Sequence, residues 1–156
     1  MRALVVVLGS LALVPSAYGW TDSGRQLELD WPADGRLNSP FGWDGGRPHA
    51  GLDIGVLRSL DVHAAEDGVV TRVGWIAGYD GYGMIVEIQL NERYSNLYAH
   101  LSKATVRVGQ NVRAGDRLGL AGCTGRCTGT HLHFELRDRE VPIDPMPLIT
   151  GYNLAS

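Results

Sequence analysis

Alternating hydrophobic and polar positions recur in short segments along this chain. The segments Gly68–Trp75, Met84–Leu90 and Leu132–Leu136 alternate or are rich in Val, Ile and aromatic residues, as half-buried β-strands are. The chain has 21 glycines and 7 prolines, which place turn signals at short intervals between such segments. The pattern predicts an all-β fold without long helices.

The connection between the first two segments has the composition of a turn. It contains Asp80 and Gly81, and Gly83 follows closely. Glycine reaches positive φ without steric cost, so these residues favour a tight connection. We therefore predict that residues 68–90 form a β-hairpin.

The N-terminus has the pattern of an export signal. Arg2 precedes an apolar run at 3–14, and small residues lead up to Gly19, after which we expect cleavage. An uncleaved anchor or a buried N-terminal helix is the alternative, but the run is too short to cross a bilayer and Pro15 would end a helix early. We predict an exported protein, in the periplasm or outside the cell.

The rest of the chain shows no internal boundary, because no repeat, low-complexity tract or block of like charges interrupts it. Its length suits one domain. The predicted organisation is a signal peptide at 1–19, a leader arm at 20–30, one catalytic domain at 31–148 and a C-terminal tail at 149–156.

The formal net charge of the chain is −3. Loss of the signal segment, which carries Arg2 and no acidic residue, would make the remainder more negative. Such a charge gives no electrostatic attraction to nucleic acid. No nucleic-acid partner is therefore expected.

A first candidate site is His49-Ala50-Gly51-Leu52-Asp53, which the neighbouring Pro48 and Gly55 make extended or looped rather than helical. Positions four apart in a strand share a face, so His49 and Asp53 could bind one cation together. An imidazole nitrogen and a carboxylate oxygen are ligands that zinc accepts. By itself the pair is also consistent with a loop aspartate beside an exposed histidine.

A second candidate site is the alternating segment 131–136. Its period of two places His131 and His133 on one face and turns the intervening apolar residues to the core. Two histidines and one carboxylate leave a fourth zinc position for water, as a catalytic site requires. The sequence therefore predicts one zinc ion, with one histidine of this pair free to act on a substrate. A pair of surface histidines is the alternative.

Two further histidines have weaker signals. His100 ends an apolar stretch and is also consistent with a satisfied buried residue. His63 has no partner pattern nearby, and we assign it no catalytic role.

Cys123 and Cys127 are the two cysteines of the chain. In an oxidising compartment they could close a small loop. Their spacing would also allow both thiols to bind one zinc ion, and unpaired thiols are a third option. Because the histidines and Asp53 already supply a ligand set, a disulfide or structural thiols are favoured over metal binding.

From about Trp31 to Leu148 the chain resembles the lysostaphin-type, or LytM-like, zinc endopeptidases of bacterial cell walls. The resemblance rests on ordered motifs, which are Ser39-Pro40-Phe41-Gly42, His49-x-Gly51-x-Asp53, Ala65-Glu66-Asp67-Gly68-Val69-Val70, Tyr98-Ala99-His100-Leu101, Gly125-x-x-x-Gly129-Thr130-His131-Leu132-His133-Phe134-Glu135 and Asp144-Pro145. The chain departs from the family at Cys123 and Cys127, where relatives usually carry small polar residues, and at Thr130, where many have proline.

The resemblance implies a compact antiparallel β domain with a groove over the sheet. Carried onto this chain, it makes His49, Asp53 and His133 the zinc ligands and His100 and His131 the unligated catalytic histidines. It further implies peptidoglycan stems or crossbridges as the substrate, cut with the help of a zinc-activated water.

Two other functions remain open at this point, and a third is disfavoured. One is a catalytically silent LytM-like module that binds cell wall or activates a partner amidase. Another is a secreted peptidase of glycine-rich proteins. A biotinyl- or lipoyl-like carrier is disfavoured because Lys103, the single lysine, lies outside any Met-Lys-Met modification site.

Overall fold

The computed structural model describes residues 27–152. Within them lie short β-strands and one 3-10 helix at Met146–Leu148, with no α-helix, so the all-β prediction is confirmed. The strands are β1 (Leu29–Asp30), β2 (Arg36–Ser39), β3 (Gly42–Asp44), β4 (Arg47–His49), β5 (Leu52–Gly55), β6 (Asp61–His63), β7 (Gly68–Trp75), β8 (Met84–Gln89), β9 (Tyr94–Leu101), β10 (Lys103–Ala104), β11 (Asn111–Val112), β12 (Arg117–Leu120), β13 (Leu132–Asp138), β14 (Val141–Ile143) and β15 (Ile149–Thr150). No helix in this part of the chain is long and apolar enough to cross a membrane.

The main sheet has the strand order β11-β7-β8-β9-β13-β5-β2, and β14 pairs with β13 beside this path. Every pairing in this sheet is antiparallel. A smaller antiparallel sheet has the order β10-β12-β6, and β3 and β4 form a separate antiparallel pair. The predicted antiparallel architecture is therefore confirmed.

The alternation in the sequence is reproduced by burial in the central strand β13. Leu132, Phe134 and Leu136 are fully buried and belong to one hydrophobic core. That core also takes Val62 from β6 and Leu118 from β12, so both sheets contribute to it. The opposite face of β13 is left for polar side chains, which form the site described below.

The three predicted strands are all present. β7 has the predicted bounds, β8 ends one residue early and β13 runs two residues further. β7 and β8 pair as predicted, but the prediction of a tight turn between them is wrong. Residues 76–83 instead form two successive turns, closed by hydrogen bonds from Tyr79 N to Ile76 O (3.0 Å) and from Tyr82 N to Tyr79 O (2.8 Å).

The longer connection has a physical reason. Its side chains Ile76, Tyr79 and Tyr82 pack on a second small cluster of Ile85, Leu97 and Ala99. These three buried residues lie on the face of the main sheet that is opposite the core. The 76–83 loop therefore covers apolar surface that a two-residue turn would leave exposed to water.

The ordered structure extends beyond the predicted 31–148 range at both ends. β1 pairs in parallel with β15, with Leu29 opposite Ile149. Leu29 is fully buried, so residues assigned to a leader arm and to a C-terminal tail pack against the core. The predicted signal peptide at 1–19 and its cleavage after Gly19 lie outside the described residues.

Candidate metal centre

Two adjacent strands bring the first two candidate ligands together. β5 and β13 are antiparallel neighbours, and Asp53 lies directly opposite His133 in their register. His49 reaches the same place from the end of β4 and not, as expected, from the same strand as Asp53. The chain bends at Ala50 and Gly51 between β4 and β5, so the spacing of four brings the two side chains together through a turn.

Three candidate ligand atoms converge at this point. His133 Nδ1 lies 2.9 Å from Asp53 Oδ1, and His49 Nε2 lies 3.2 Å from the same oxygen. The two imidazole nitrogens are 3.3 Å apart. Ligands bound at about 2.0–2.1 Å to a tetrahedral zinc are separated by about 3.3 Å. The triangle therefore has the size of one face of a zinc coordination tetrahedron.

The other nitrogen of each imidazole determines its tautomer. His49 Nδ1 donates to the carbonyl of Pro40 (2.7 Å), and His133 Nε2 donates to Glu135 Oε1 (2.9 Å). A carbonyl and an ionised carboxylate only accept, so each of these nitrogens carries the proton. In the neutral form of the two rings, the lone pairs of His49 Nε2 and His133 Nδ1 face each other and the Asp53 carboxylate. Such a set of acceptors can be satisfied by a shared proton or by a cation, and its donor atoms are those that zinc prefers.

The pKa values agree with a shared proton or a cation between these acceptors. Burial alone would lower the pKa of His133, but hydrogen bonds to Asp53 and Glu135 raise it to about 9. Burial would raise the pKa of Asp53, but hydrogen bonds from His133 and His49 hold it well below its usual value. The hydrogen bond to Asp53 also raises the pKa of His49. The position between the three side chains therefore favours positive charge.

His100 reaches the groove through an irregularity in β9. Met84 pairs with Leu101 and Val86 with Tyr98, so Ala99 and His100 together oppose Ile85. This β-bulge has His100 at φ +59°, a conformation uncommon for residues with a side chain. Strict alternation would turn His100 into the core. The bulge instead directs it to the groove and returns Leu101 to the core.

His100 and His131 stand beside the three converging side chains, with ring centroids 4.7 Å apart. His100 Nδ1 donates to the carbonyl of Thr124 (2.8 Å) and His131 Nδ1 to that of Gly129 (2.7 Å). In the neutral form of each ring, Nε2 is then the nitrogen without a proton. His131 Nε2 is 3.6 Å from Asp53 Oδ1. Burial lowers the pKa of His100, which keeps it neutral near pH 7.

All five predicted site residues line one groove of about 430 Å³. His63, to which we assigned no role, is not among its lining residues. Tyr82 and Gly81 form part of one wall, and Arg126 and Cys127 form part of another. Two arginines, Arg47 and Arg126, are exposed along the same groove.

The cysteines support the wall that holds His100. Cys123 and Cys127 are joined in a disulfide, with their Cα atoms 5.5 Å apart, which agrees with the favoured option and not with the alternative of a pair of zinc ligands. Thr124, inside the closed loop, supplies the carbonyl that orients His100. Its Oγ1 donates to Leu101 O (2.8 Å) and accepts from Met84 N (3.0 Å). The loop is thereby attached to the start of β8 and the end of β9, two interior strands of the main sheet.

Glu135 lies within one of the sequence motifs, but no role was predicted for it. Its side chain is fully buried, and it accepts from His133, Tyr82 and Arg137. The available signal was the period of two, which places Glu135 on the same face as His131 and His133. An acid on a histidine face behind a metal site is a candidate for orienting a ligand.

Three convergent ligand atoms beside two free imidazole nitrogens in a groove are typical of the catalytic metal centres of hydrolases. This chain belongs to peptidase family M23, whose model matches residues 47–145. The resemblance to the lysostaphin-type peptidases is therefore confirmed.

Individual relatives agree with this family. The chain is 41% identical over 99 residues to the peptidoglycan DD-endopeptidase ShyA of Vibrio cholerae serotype O1, covering 64% of this chain and 22% of that protein. It thus spans about a fifth of the relative's length.

Solved structures show the same fold. A zinc-containing peptidase of Vibrio cholerae superposes with a TM-score of 0.68 at 34% identity, over 78% of this chain and 40% of that chain. The antimicrobial peptidase lysostaphin of Staphylococcus simulans superposes with a TM-score of 0.70 at 29% identity, over 83% of this chain and 56% of that chain.

Proposed function

We propose that this chain is an exported zinc endopeptidase that binds one zinc ion through His49, Asp53 and His133 and hydrolyses peptide bonds in peptidoglycan. The observation that carries the proposal is the convergence of His49 Nε2, Asp53 Oδ1 and His133 Nδ1 within 4.8 Å of one another. Three protein ligands leave the fourth zinc position to water or substrate, as in catalytic rather than structural zinc sites.

A zinc ion at this position supplies Lewis acidity, which polarises a substrate carbonyl and makes water acidic near neutral pH. His49 Nε2 and His133 Nδ1 would be the nitrogens that hold the ion, because the opposite nitrogens are held as donors by Pro40 and Glu135. Any proton on the two nitrogens that hold the ion would be released when it binds. Asp53 offers an ionised carboxylate at neutral pH, since its pKa is well below its usual value.

Proton transfer is the proposed role of His100 and His131. Their Nε2 atoms face the groove, and the carbonyls of Thr124 and Gly129 prevent either ring from rotating freely. One of the two accepts the proton of the attacking water, and the proton passes to the leaving amine as the C–N bond breaks. The other stabilises charge on the carbonyl oxygen. A group of this kind typically contributes about a hundredfold or more in rate.

Peptidoglycan peptides as the substrate are supported by the family and by the groove. The ShyA relative is named a peptidoglycan DD-endopeptidase. Arg47 and Arg126 place positive charge along the groove, which suits a peptide bearing free carboxylates. Export, which the N-terminal pattern predicts, would bring the protein to this substrate.

The test is the release of soluble fragments from purified peptidoglycan by the chain without residues 1–19. Zinc-loaded protein is expected to create new amine termini, and the masses of the fragments identify the cleaved bond. A chelator should stop release, and added zinc should restore it. A folded protein shown to carry one zinc that releases nothing from peptidoglycan or from purified crosslinked peptides would contradict the proposal and favour a non-catalytic module.

A further inference from the structure

Glu135 uses both oxygens of its buried carboxylate. Oε1 accepts from His133 Nε2 (2.9 Å) and from the Tyr82 hydroxyl (2.7 Å). Oε2 accepts from Arg137 Nε (2.7 Å). The side chain is 0% exposed, so these three donors replace water entirely. If one partner is removed from such a buried network, no water is available to replace the hydrogen bond that the other groups lose.

The chain makes room for this carboxylate. A Cβ added at Gly51 would lie 2.9 Å from Glu135 Cγ and 2.3 Å from the carbonyl oxygen of Phe134. Gly51 is the middle residue of the His49-x-Gly51-x-Asp53 motif. The absence of a side chain there lets the turn between His49 and Asp53 lie directly against the Phe134 carbonyl and the Glu135 side chain.

The same carboxylate fastens the 76–83 loop. Tyr82, which donates to Glu135 Oε1, lines the groove, and its ring lies 5.5 Å from that of His133. Tyr79 is held by Arg137, whose Nη1 donates to the tyrosine oxygen at 2.8 Å and whose guanidinium lies 5.3 Å from the ring centre. Both tyrosines of the loop are therefore attached to the row of polar residues on β13.

We infer that Glu135 is a positioning residue that couples the metal ligand His133 to the 76–83 loop, so that the metal site and this wall of the groove form together. The inference rests on the proposed metal site. Glu135 keeps the proton of His133 on Nε2 and so leaves Nδ1 available to a cation. Through Tyr82 the same oxygen fixes the wall against which a substrate would lie.

Thermodynamic linkage makes the coupling measurable without substrate. If the loop is better ordered when His133 is in its metal-binding position, zinc binding must stabilise the loop, and the loop contact must strengthen zinc binding. Hydrogen exchange of the 76–83 amides reports the first effect, and zinc affinity measured by competition with a chromophoric chelator reports the second.

The test compares the unmodified chain with Glu135→Gln, Tyr82→Phe and Glu87→Gln. In Glu135→Gln the amide cannot accept from three donors, so we expect zinc to bind about 10- to 100-fold more weakly. Tyr82→Phe removes one hydroxyl and should bind zinc only a few-fold more weakly, while the loop loses the zinc-dependent protection from exchange. Glu87→Gln is the control for the loss of a buried carboxylate that reaches the same loop but not a proposed metal ligand, because Glu87 pairs with Arg72, which contacts Tyr79. It should keep its zinc affinity within about twofold.

Each outcome bears on a defined part of the account. Folded Glu135→Gln with unchanged zinc affinity would overturn this inference and leave the proposed metal site intact. Should Glu135→Gln fail to fold, unchanged loop protection in Tyr82→Phe would overturn it instead. Failure of the unmodified, folded chain to bind zinc would overturn the proposed function together with the inference.

Discussion

The two faces of β13 carry opposite kinds of residue at alternating positions. Leu132, Phe134 and Leu136 are fully buried in apolar surroundings. On the other face, His133 and Glu135 are almost as completely buried, yet both are held by hydrogen bonds to polar side chains. Burial therefore does not distinguish the core from the candidate site in this strand.

The chemistry of the partners distinguishes the two faces. The apolar face gains stability from removing hydrocarbon from water and needs no directional contact. The polar face needs an acceptor or donor for every buried group, because an unpaired one is costly. One strand can thus contribute to the core on one face and to the candidate site on the other, and its period of two keeps the two sets of side chains apart.

Removing a proposed metal ligand from the polar face should have the largest effect on function. In His133→Ala the Nδ1 that completes the ligand triangle is lost, and a catalytic zinc site needs three protein ligands. We expect no zinc to remain after desalting and peptidoglycan hydrolysis to fall to background. Metal analysis and fragment release check this. His63→Ala is the matched control and should keep both; a His133→Ala protein that retains one zinc per chain would contradict the assignment.

Truncating a core residue on the apolar face should lower the stability of the whole domain. Phe134 is fully buried and packs on Tyr98 with ring centroids 5.3 Å apart. Phe134→Ala should lower the free energy of unfolding by about 3–5 kcal/mol, measured by denaturant unfolding. The exposed Val108 is the control, and Val108→Ala should change the free energy of unfolding by about 0.5 kcal/mol or less. A Phe134→Ala loss as small as that of the control would show that this face is not the centre of the core.

A smaller change at Gly51 should affect both faces together. Its added Cβ would meet the Phe134 carbonyl oxygen at 2.3 Å, so β5 must move away from β13. Gly51→Ala should cost about 1–3 kcal/mol of stability and weaken zinc binding, because Asp53 and His133 sit on the strands that separate. Melting curves and chelator competition measure the two effects. Gly81→Ala, whose Cβ meets no atom within 4 Å, is the stability control. Unchanged zinc affinity in Gly51→Ala would show that the close contact between β5 and β13 does not determine the geometry of the metal site.

The regular parts of the molecule could be predicted from the sequence. The bounds of β7 and the faces of β13 follow from alternation alone, since a period of two fixes which side chains share a face. The motif resemblance named the five residues that the fold brings into one groove. This was possible because each motif is a short local pattern of residues, which can be recognised in the sequence although the motifs meet only in the folded protein.

The missed features depend on tertiary contacts. The bulge that directs His100 to the groove appears only when β9 is paired with β8, and nothing in the local sequence indicates it. The 76–83 loop is long because it must cover Leu97 and Ala99, which belong to another strand. The role of Glu135 follows from its contacts with Tyr82 and Arg137, and only its face could be read from the sequence.

The most direct test of the account is the zinc content and peptidoglycan hydrolysis of His131→Ala, measured together on one preparation. The account divides the histidines of the groove between metal binding and proton transfer. It predicts that His131→Ala keeps one zinc per chain, because His49, Asp53 and His133 are intact, and loses hydrolysis by about a hundredfold or more. A variant that keeps its zinc and hydrolyses at the unmodified rate, or one that loses its zinc, would contradict that division.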